Sequence, residues 1–170
     1  DNQTMGVQRD GAFQEYITMP VQRIFPGKGL SARQLALVEP FCIGHHGISR
    51  GNVQKGDKVL IVGAGPIGMF AMLSAKAVGA KVYMTDLLDG RLEKAKEMGA
   101  DGVANGKNPE ELKALNQKVT NGDGFDVCVE CCGAPETFLT CIDQAAFAAK
   151  IILIGNGKRD TTFLHSILLK

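Results

Sequence analysis

Gly63, Gly65 and Gly68 recur as Gly-x-Gly-x-x-Gly within Lys58-Val-Leu-Ile-Val-Gly-Ala-Gly-Pro-Ile-Gly68. That spacing can hold a diphosphate with main-chain groups alone. Gly63 permits a tight turn out of an apolar strand, Gly65 lets the chain approach an anion with no Cβ in the way, and Gly68 lets the next helix pack close to the sheet. Pro66 stands where a helix would begin, followed by Ile67, and the free amides of that first turn face the anion. Asp86 closes the next strand signal at the offset expected of a carboxylate that accepts ribose hydroxyls. Its charge would repel a 2′-phosphate, so the cofactor expected is NAD rather than NADP. A glycine turn with no ligand would leave Asp86 unexplained. Arg91 is positioned either over the adenine or in a surface pair with Glu93 or Asp89.

The remaining reactive side chains do not form a comparable set. Five cysteines, Cys42, Cys128, Cys131, Cys132 and Cys141, are an odd number without disulfide-framework spacing, which suits reduced thiols in a cytoplasmic protein. Cys128 and Cys131 make a Cys-x-x-Cys, but an offset of three along a strand sends the two side chains to opposite faces. Buried apolar roles are therefore expected rather than a metal. His45, His46 and His165 have no chelating partner at i+4.

In 170 residues, 45% are apolar and the formal charge is +1. A near-neutral chain with no basic run, two Tyr and no Trp has no electrostatic footprint for nucleic acid or an anionic membrane. No apolar stretch reaches the roughly 20 residues of a membrane span, and Asp1-Asn-Gln-Thr is not a signal peptide.

The elements that must position the glycine turn follow from alternating patterns. Strands are expected near 58–63, 81–85, 102–104, 125–130 and 150–154. The first helix starts at Pro66, buries Ile67, Phe70, Leu73 and Ala77, and stops at Gly79; the second starts after Asp89, buries Leu92, Ala95 and Met98, and stops at Gly99. Asn108-Pro109 and Ala134-Pro135 open two more. Strand and helix in alternation predict an α/β fold, a doubly wound parallel sheet of Rossmann type, and right-handed crossovers give the order 3-2-1-4-5. The sheet is one strand short of six and Leu168-Leu169-Lys170 reads as an uncapped helix, so a truncated polypeptide is expected. Upstream, Gly11 to Pro20 predicts a strand, Ser31 caps a short helix through Val38, and a helical link runs from about 41 to 50. The domains expected are 1–40 and 41–170.

Taken in order, Gly11-x-Phe13-x-Glu15-Tyr16, Leu37-Val38-Glu39-Pro40, His46, Gly56-Asp57-Lys58-Val59-Leu60, the glycine turn and Arg91-x-x-x-Ala95-x-x-x-Gly99-Ala100-Asp101 resemble the zinc-dependent medium-chain alcohol dehydrogenases over nearly the whole chain. The Glu-Pro segment is most similar to the polyol and sugar-acid branch, that of sorbitol, L-idonate and L-galactonate 5-dehydrogenases. The resemblance implies that residues 1–40 are the tail of a GroES-like catalytic domain and that the principal catalytic groups and zinc ligands lie upstream of residue 1. It implies that Glu39 lies at or beside the catalytic zinc, bound directly or through water; from the residues alone it reads as a solvent-facing carboxylate at a helix end. It further implies that Cys132, standing where relatives have a hydroxyl residue, lies beside the dinucleotide, that Ile154, Gly155 and Asn156 pass near the nicotinamide ribose, and that Ile43 lies close to the ring. The function so implied is NAD-dependent oxidation of a secondary alcohol on a polyol or sugar acid by an intact, homo-oligomeric zinc enzyme, this fragment alone being inactive. The alternatives are a dinucleotide-sensing module and a zinc-free quinone oxidoreductase of the same superfamily.

Overall fold

A computed structural model describes residues 3–169. The chain divides between Ala36 and Leu37 into two compact units.

The first unit contains a 3-10 turn, Val21–Arg23, and the short helix α1, Ala32–Ala36. Ser31 caps α1 reciprocally: its Oγ accepts the Gln34 N–H at 3.3 Å while Gln34 Oε1 accepts the Ser31 N–H at 2.9 Å. The strand expected over residues 11–20 does not form, and that segment is irregular. Phe13 and Tyr16 lie exposed. An extended segment becomes a strand only when a neighbouring strand takes up its N–H and C=O groups, and among the described residues of this unit no strand pairs with residues 11–20.

The second unit is a parallel sheet with helices on both faces. Its strands are β1 (Lys58–Val62), β2 (Lys81–Asp86), β3 (Gly102–Asn105), β4 (Phe125–Glu130) and β5 (Ala145–Leu153), in the order β3-β2-β1-β4-β5. The expected order is therefore the observed one, and β1 is central. Its side chains alternate between two cores. Val59 and Ile61 pack with Val82, Met84, Val127, Val129 and helix residues Met69, Met72 and Leu92 on one face. Leu60 and Val62 join Leu112, Phe125, Cys128 and Cys141 on the other. Burial on both faces explains why β1 reads as a continuous apolar run.

Helices α2 (Val38–Arg50), α3 (Pro66–Val78), α4 (Asp89–Glu97), α5 (Pro109–Thr120) and α6 (Pro135–Gln144) complete the unit. Proline opens α3, α5 and α6, and α3 stops at Gly79 with φ 91°. Four expectations need correction. The core face of α3 is Met69, Ala71, Met72 and Ala75, while Ile67, Phe70 and Leu73 are half-buried and Ala77 is exposed. The reason is α2, which begins at Val38 rather than near 41 and covers the outer side of α3: a Cβ on Gly44 would lie within 3.0 Å of the Ile67 carbonyl oxygen, and Phe41 meets Phe70 edge-on with centroids 5.7 Å apart. A helix packed on two sides shows no single apolar stripe. Next, β5 starts at Ala145 rather than near 150; its register against β4 shifts between Phe125 and Val127, with Ala148 at φ 57°, so a bulge extends it. Finally, the terminal turn is 3-10, His165–Leu168; Lys170 lies outside the described residues. Among the described residues no helix is long and apolar enough to cross a membrane.

Asp101, in the turn before β3, ties α3 to the start of β2. Its Oδ2 accepts from Lys76 Nζ and from the Val82 N–H, each at 2.7 Å, and Lys81 approaches to 3.6 Å. Burial alone would raise its pKa, but the Lys76 and Val82 hydrogen bonds and the two lysine charges outweigh it and hold the carboxyl below its ordinary value of 3.8. A depressed folded-state pKa adds stability above the unfolded value, lost as pH falls through the folded one. Asp101→Asn should therefore lower stability by about 1–2 kcal/mol at pH 7, and urea titrations should show the gap to wild type closing as pH drops below 3.8.

Candidate dinucleotide site

The turn after β1 is shaped by contacts that admit no side chain. Gly63 has φ 104°, and its N–H extends the β1–β2 ladder to the Thr85 carbonyl at 2.8 Å. A Cβ there would lie 2.6 Å from Cys132 Sγ. Gly68 lies against the carbonyl of Gly63, so any Cβ would strike that oxygen. Gly65 differs. It is extended, with φ −75° and ψ −178°, and a Cβ on it would meet no atom within 4 Å. Gly63 and Gly68 are thus glycines for packing, whereas Gly65 borders open space at the helix N-terminus. Pro66 and Ile67 form the first turn of α3 behind it.

Asp86 ends β2 with its side chain 7% exposed. Oδ2 accepts the Ala64 N–H at 2.8 Å and Oδ1 accepts the Leu88 N–H at 3.0 Å, so the carboxylate clamps the glycine turn to the turn entering α4. Its remaining lone pairs are available to a ligand. Arg91 Nη1 stands 3.4 Å from Oδ2; the arginine joins the Asp86 carboxylate rather than Glu93 or Asp89.

Glu130 is the residue that sequence reasoning missed. It ends β4 at 2% exposure. Its Oε1 accepts the N–H groups of Cys132 at 2.8 Å and Gly133 at 2.9 Å and the Thr137 hydroxyl at 2.6 Å, while Oε2 accepts Gly133 N–H at 3.0 Å. The main-chain carbonyl of Glu130 accepts from Ile154 and Gly155. One residue thus fixes the turn after β4, the start of α6 and the end of β5. The available signal was an acid at the carboxyl end of a strand adjoining β1, the position Asp86 holds on the other side.

The expected nicotinamide-side residues meet around this knot. A side chain on Gly155 would run into Gly133 N and the Glu130 carboxylate, and the Asn156 backbone packs against Gly133. Ile154 lies beside Gly47 of α2, the helix that also carries Ile43 at 42% exposure. Glu39, in the first turn of α2, is exposed, and its side chain makes no hydrogen bond or ion pair with a described residue.

Beside Asp86 and Cys132 opens a cleft of about 760 Å³ between the sheet and α5 and α6, with Leu87, Leu112, Thr140 and Arg159 on its walls. Cys128 joins the core on the α5–α6 face and Cys131 the opposite core, as the offset of three requires. Burial pushes the Cys131 thiol up to about 12, helped by Cys132 and Glu130. Cys132 is pushed up to about 11 by burial and then by the negative Glu130 and Asp86. Both are thiols at neutral pH. Among the described residues no three His, Cys, Asp or Glu side chains gather to hold a metal.

These residues fit a dinucleotide. Open space at Gly65 could take a diphosphate, Asp86 offers acceptors one strand away, and the cleft is wide enough for a base. They do not by themselves fit a zinc ion.

A doubly wound sheet with a glycine turn after its central strand and an acid ending the neighbouring strand defines a dinucleotide-binding type of domain. The family model for zinc-binding dehydrogenases matches residues 66–170, and the chain belongs to that family. L-threonine 3-dehydrogenase of Chromobacterium violaceum is 40% identical over 153 residues, 89% of this chain and 44% of the relative. Human sorbitol dehydrogenase is 41% identical over 138 residues, 78% and 38%. Among solved structures, a short chain alcohol dehydrogenase of Escherichia coli CFT073 complexed with the cofactor NADH superposes with TM-score 0.87 at 28% identity, covering 97% of this chain and 49% of the other. The chain thus spans under half the length of the relatives it matches.

Because Glu130 satisfies four donor contacts in the interior, Glu130→Gln should place an amide group against N–H donors and lower stability by about 2–3 kcal/mol. Urea denaturation should show that loss, whereas the exposed Glu39→Gln should change stability by under about 0.5 kcal/mol.

Proposed function

We propose that this chain is the cofactor-binding part of an NAD-dependent, zinc-type dehydrogenase that oxidises a secondary alcohol on a polyol or sugar acid. The observation that carries it is the open space at Gly65 placed beside the Asp86 carboxylate. The relatives named for sorbitol and, in Escherichia coli K12, for L-galactonate support the substrate class. An intact homo-oligomer in the cytoplasm, taking a small substrate and no nucleic acid, belongs to the same reading.

The bound nicotinamide would supply the hydride acceptor. The chain's own residues do the positioning. Amides at the start of α3 take the pyrophosphate, with the partial positive charge of the helix N-terminus behind them. Asp86 accepts ribose hydroxyls with the lone pairs left by Ala64 and Leu88. Cys132 walls the base side, with its thiol donating weakly to the Val62 carbonyl at 3.5 Å. Glu130 holds Gly133 and Gly155 in register, and Ile43 and Ile154 give the ring an apolar wall that excludes water. Holding the cofactor so reduces the entropy of reaching a reactive geometry. Zinc, when bound in the family, stabilises negative charge on oxygen, and of this chain Glu39 is the residue offered to it.

Asp86→Ser should weaken NAD binding and shift the NADP to NAD affinity ratio at least about tenfold towards NADP, since the repelling charge goes and Arg91 is freed for a 2′-phosphate. Calorimetric titration of both cofactors measures it; an unchanged ratio rejects Asp86 as the discriminator. In the full-length enzyme, Glu39→Ala should lower metal occupancy or activity about 10–100-fold. Elemental analysis alongside kinetics decides the point, because full zinc content with full activity returns Glu39 to the solvent-facing role.

A further inference from the structure

Thr85 precedes Asp86 on β2 and pairs with Val62 on one side and Ala104 on the other. The side chain is on the α5–α6 face of the sheet, where its neighbours Leu60, Val62 and Ala104 are apolar. It is 3% exposed, and its hydroxyl oxygen has no hydrogen-bond partner. Valine would fill the same space without stranding a polar atom, so packing does not account for a threonine here. The residue also lines the cleft, with Leu87, Gly106, Pro109 and Leu112 around it. At Gly106 a Cβ would stand 3.2 Å from the Thr85 hydroxyl oxygen and 3.3 Å from Leu87 Cδ2. Glycine therefore leaves the approach to the hydroxyl clear of one atom that any other residue would add, and Leu87, more than half exposed, can rotate aside.

Resting on the NAD reading above, we propose that the Thr85 hydroxyl hydrogen-bonds the adenine of the dinucleotide, so that consecutive residues of β2 read base and ribose. The base is joined to the same ribose that Asp86 would hold, and the cleft beside Asp86 is the apolar space into which it can turn. A hydroxyl can donate to a ring nitrogen or accept from an exocyclic amine, which suits a purine edge. Occupancy by the base also supplies the partner that the buried oxygen lacks.

Calorimetric titration of ADP and of NAD into wild type, Thr85→Val, Thr85→Ser and Gly106→Ala, with thermal melts of each ligand-free protein, tests the assignment. Thr85→Val should weaken both ligands about 5–10-fold, equivalent to one neutral hydrogen bond, while its ligand-free melting temperature holds or rises. Thr85→Ser should stay within about twofold of wild type, since it keeps the hydroxyl. Gly106→Ala should weaken both ligands by crowding the hydroxyl, and it reports on access independently of any change in Thr85. Affinity of Thr85→Val equal to wild type overturns the inference and leaves the cofactor reading standing. Equal weakening by Ser and Val overturns it too, because packing rather than the hydroxyl would then be responsible. Wild type that binds neither ADP nor NAD overturns the cofactor reading, and this inference with it.

Discussion

The close approach of Gly68 to the carbonyl of Gly63 is the contact on which the site depends. It sets the start of α3 down onto the end of β1, and that placement aims the unpaired amides of the first helical turn over the sheet edge. A single methyl at Gly68 would lift the helix away. The turn cannot compensate, because Gly63 is itself held in a left-handed conformation against Cys132.

Two carboxylates brace this arrangement from either side. β2 and β4 both pair with β1, and each ends in an acid whose oxygens accept main-chain N–H groups of a turn: Asp86 from Ala64 and Leu88, Glu130 from Cys132 and Gly133. The two differ in what is left over. Glu130 is surrounded by protein donors and serves the fold. Asp86 keeps acceptor capacity beside a cleft, with Arg91 partly balancing its charge, and is the one of the pair that can bind a ligand. The same local device therefore yields a structural knot on one side of β1 and a candidate recognition group on the other.

Helix α2 couples the two ends of the site. It lies on α3 through Gly44 and against Ile154 and Ile152 of the β5 end through Gly47 and Gly51. A Cβ at Gly44 would strike the α3 backbone at Phe70 and Ala71, whereas at Gly47 and Gly51 it would displace the side chains of Ile154 and Ile152. The glycine turn and the residues at the end of β5 consequently belong to one packed body, which suits a ligand that must span both.

Much of this was legible in the residues. The glycine turn, the proline starts of α3, α5 and α6, and the opposite faces of Cys128 and Cys131 follow from local pattern, because period, turn chemistry and capping act within a few residues, and the strand order follows from the handedness of the crossovers. What the pattern could not supply were partners. Residues 11–20 look like a strand but pair with no strand among the described residues; Phe70 looks like core but meets Phe41 of α2; Glu130 looks like any strand-end acid until the turn after β4, the start of α6 and the end of β5 converge on it. Thr85 is the sharpest case, since nothing in Thr85-Asp86 distinguishes a hydroxyl that is satisfied from one that is stranded. The sequence by itself determined which segments could be elements and which backbone positions had to be glycine. Tertiary structure alone decided which polar groups were already paired and which were left facing a cleft, because hydrogen-bond satisfaction is settled by groups far apart in the chain.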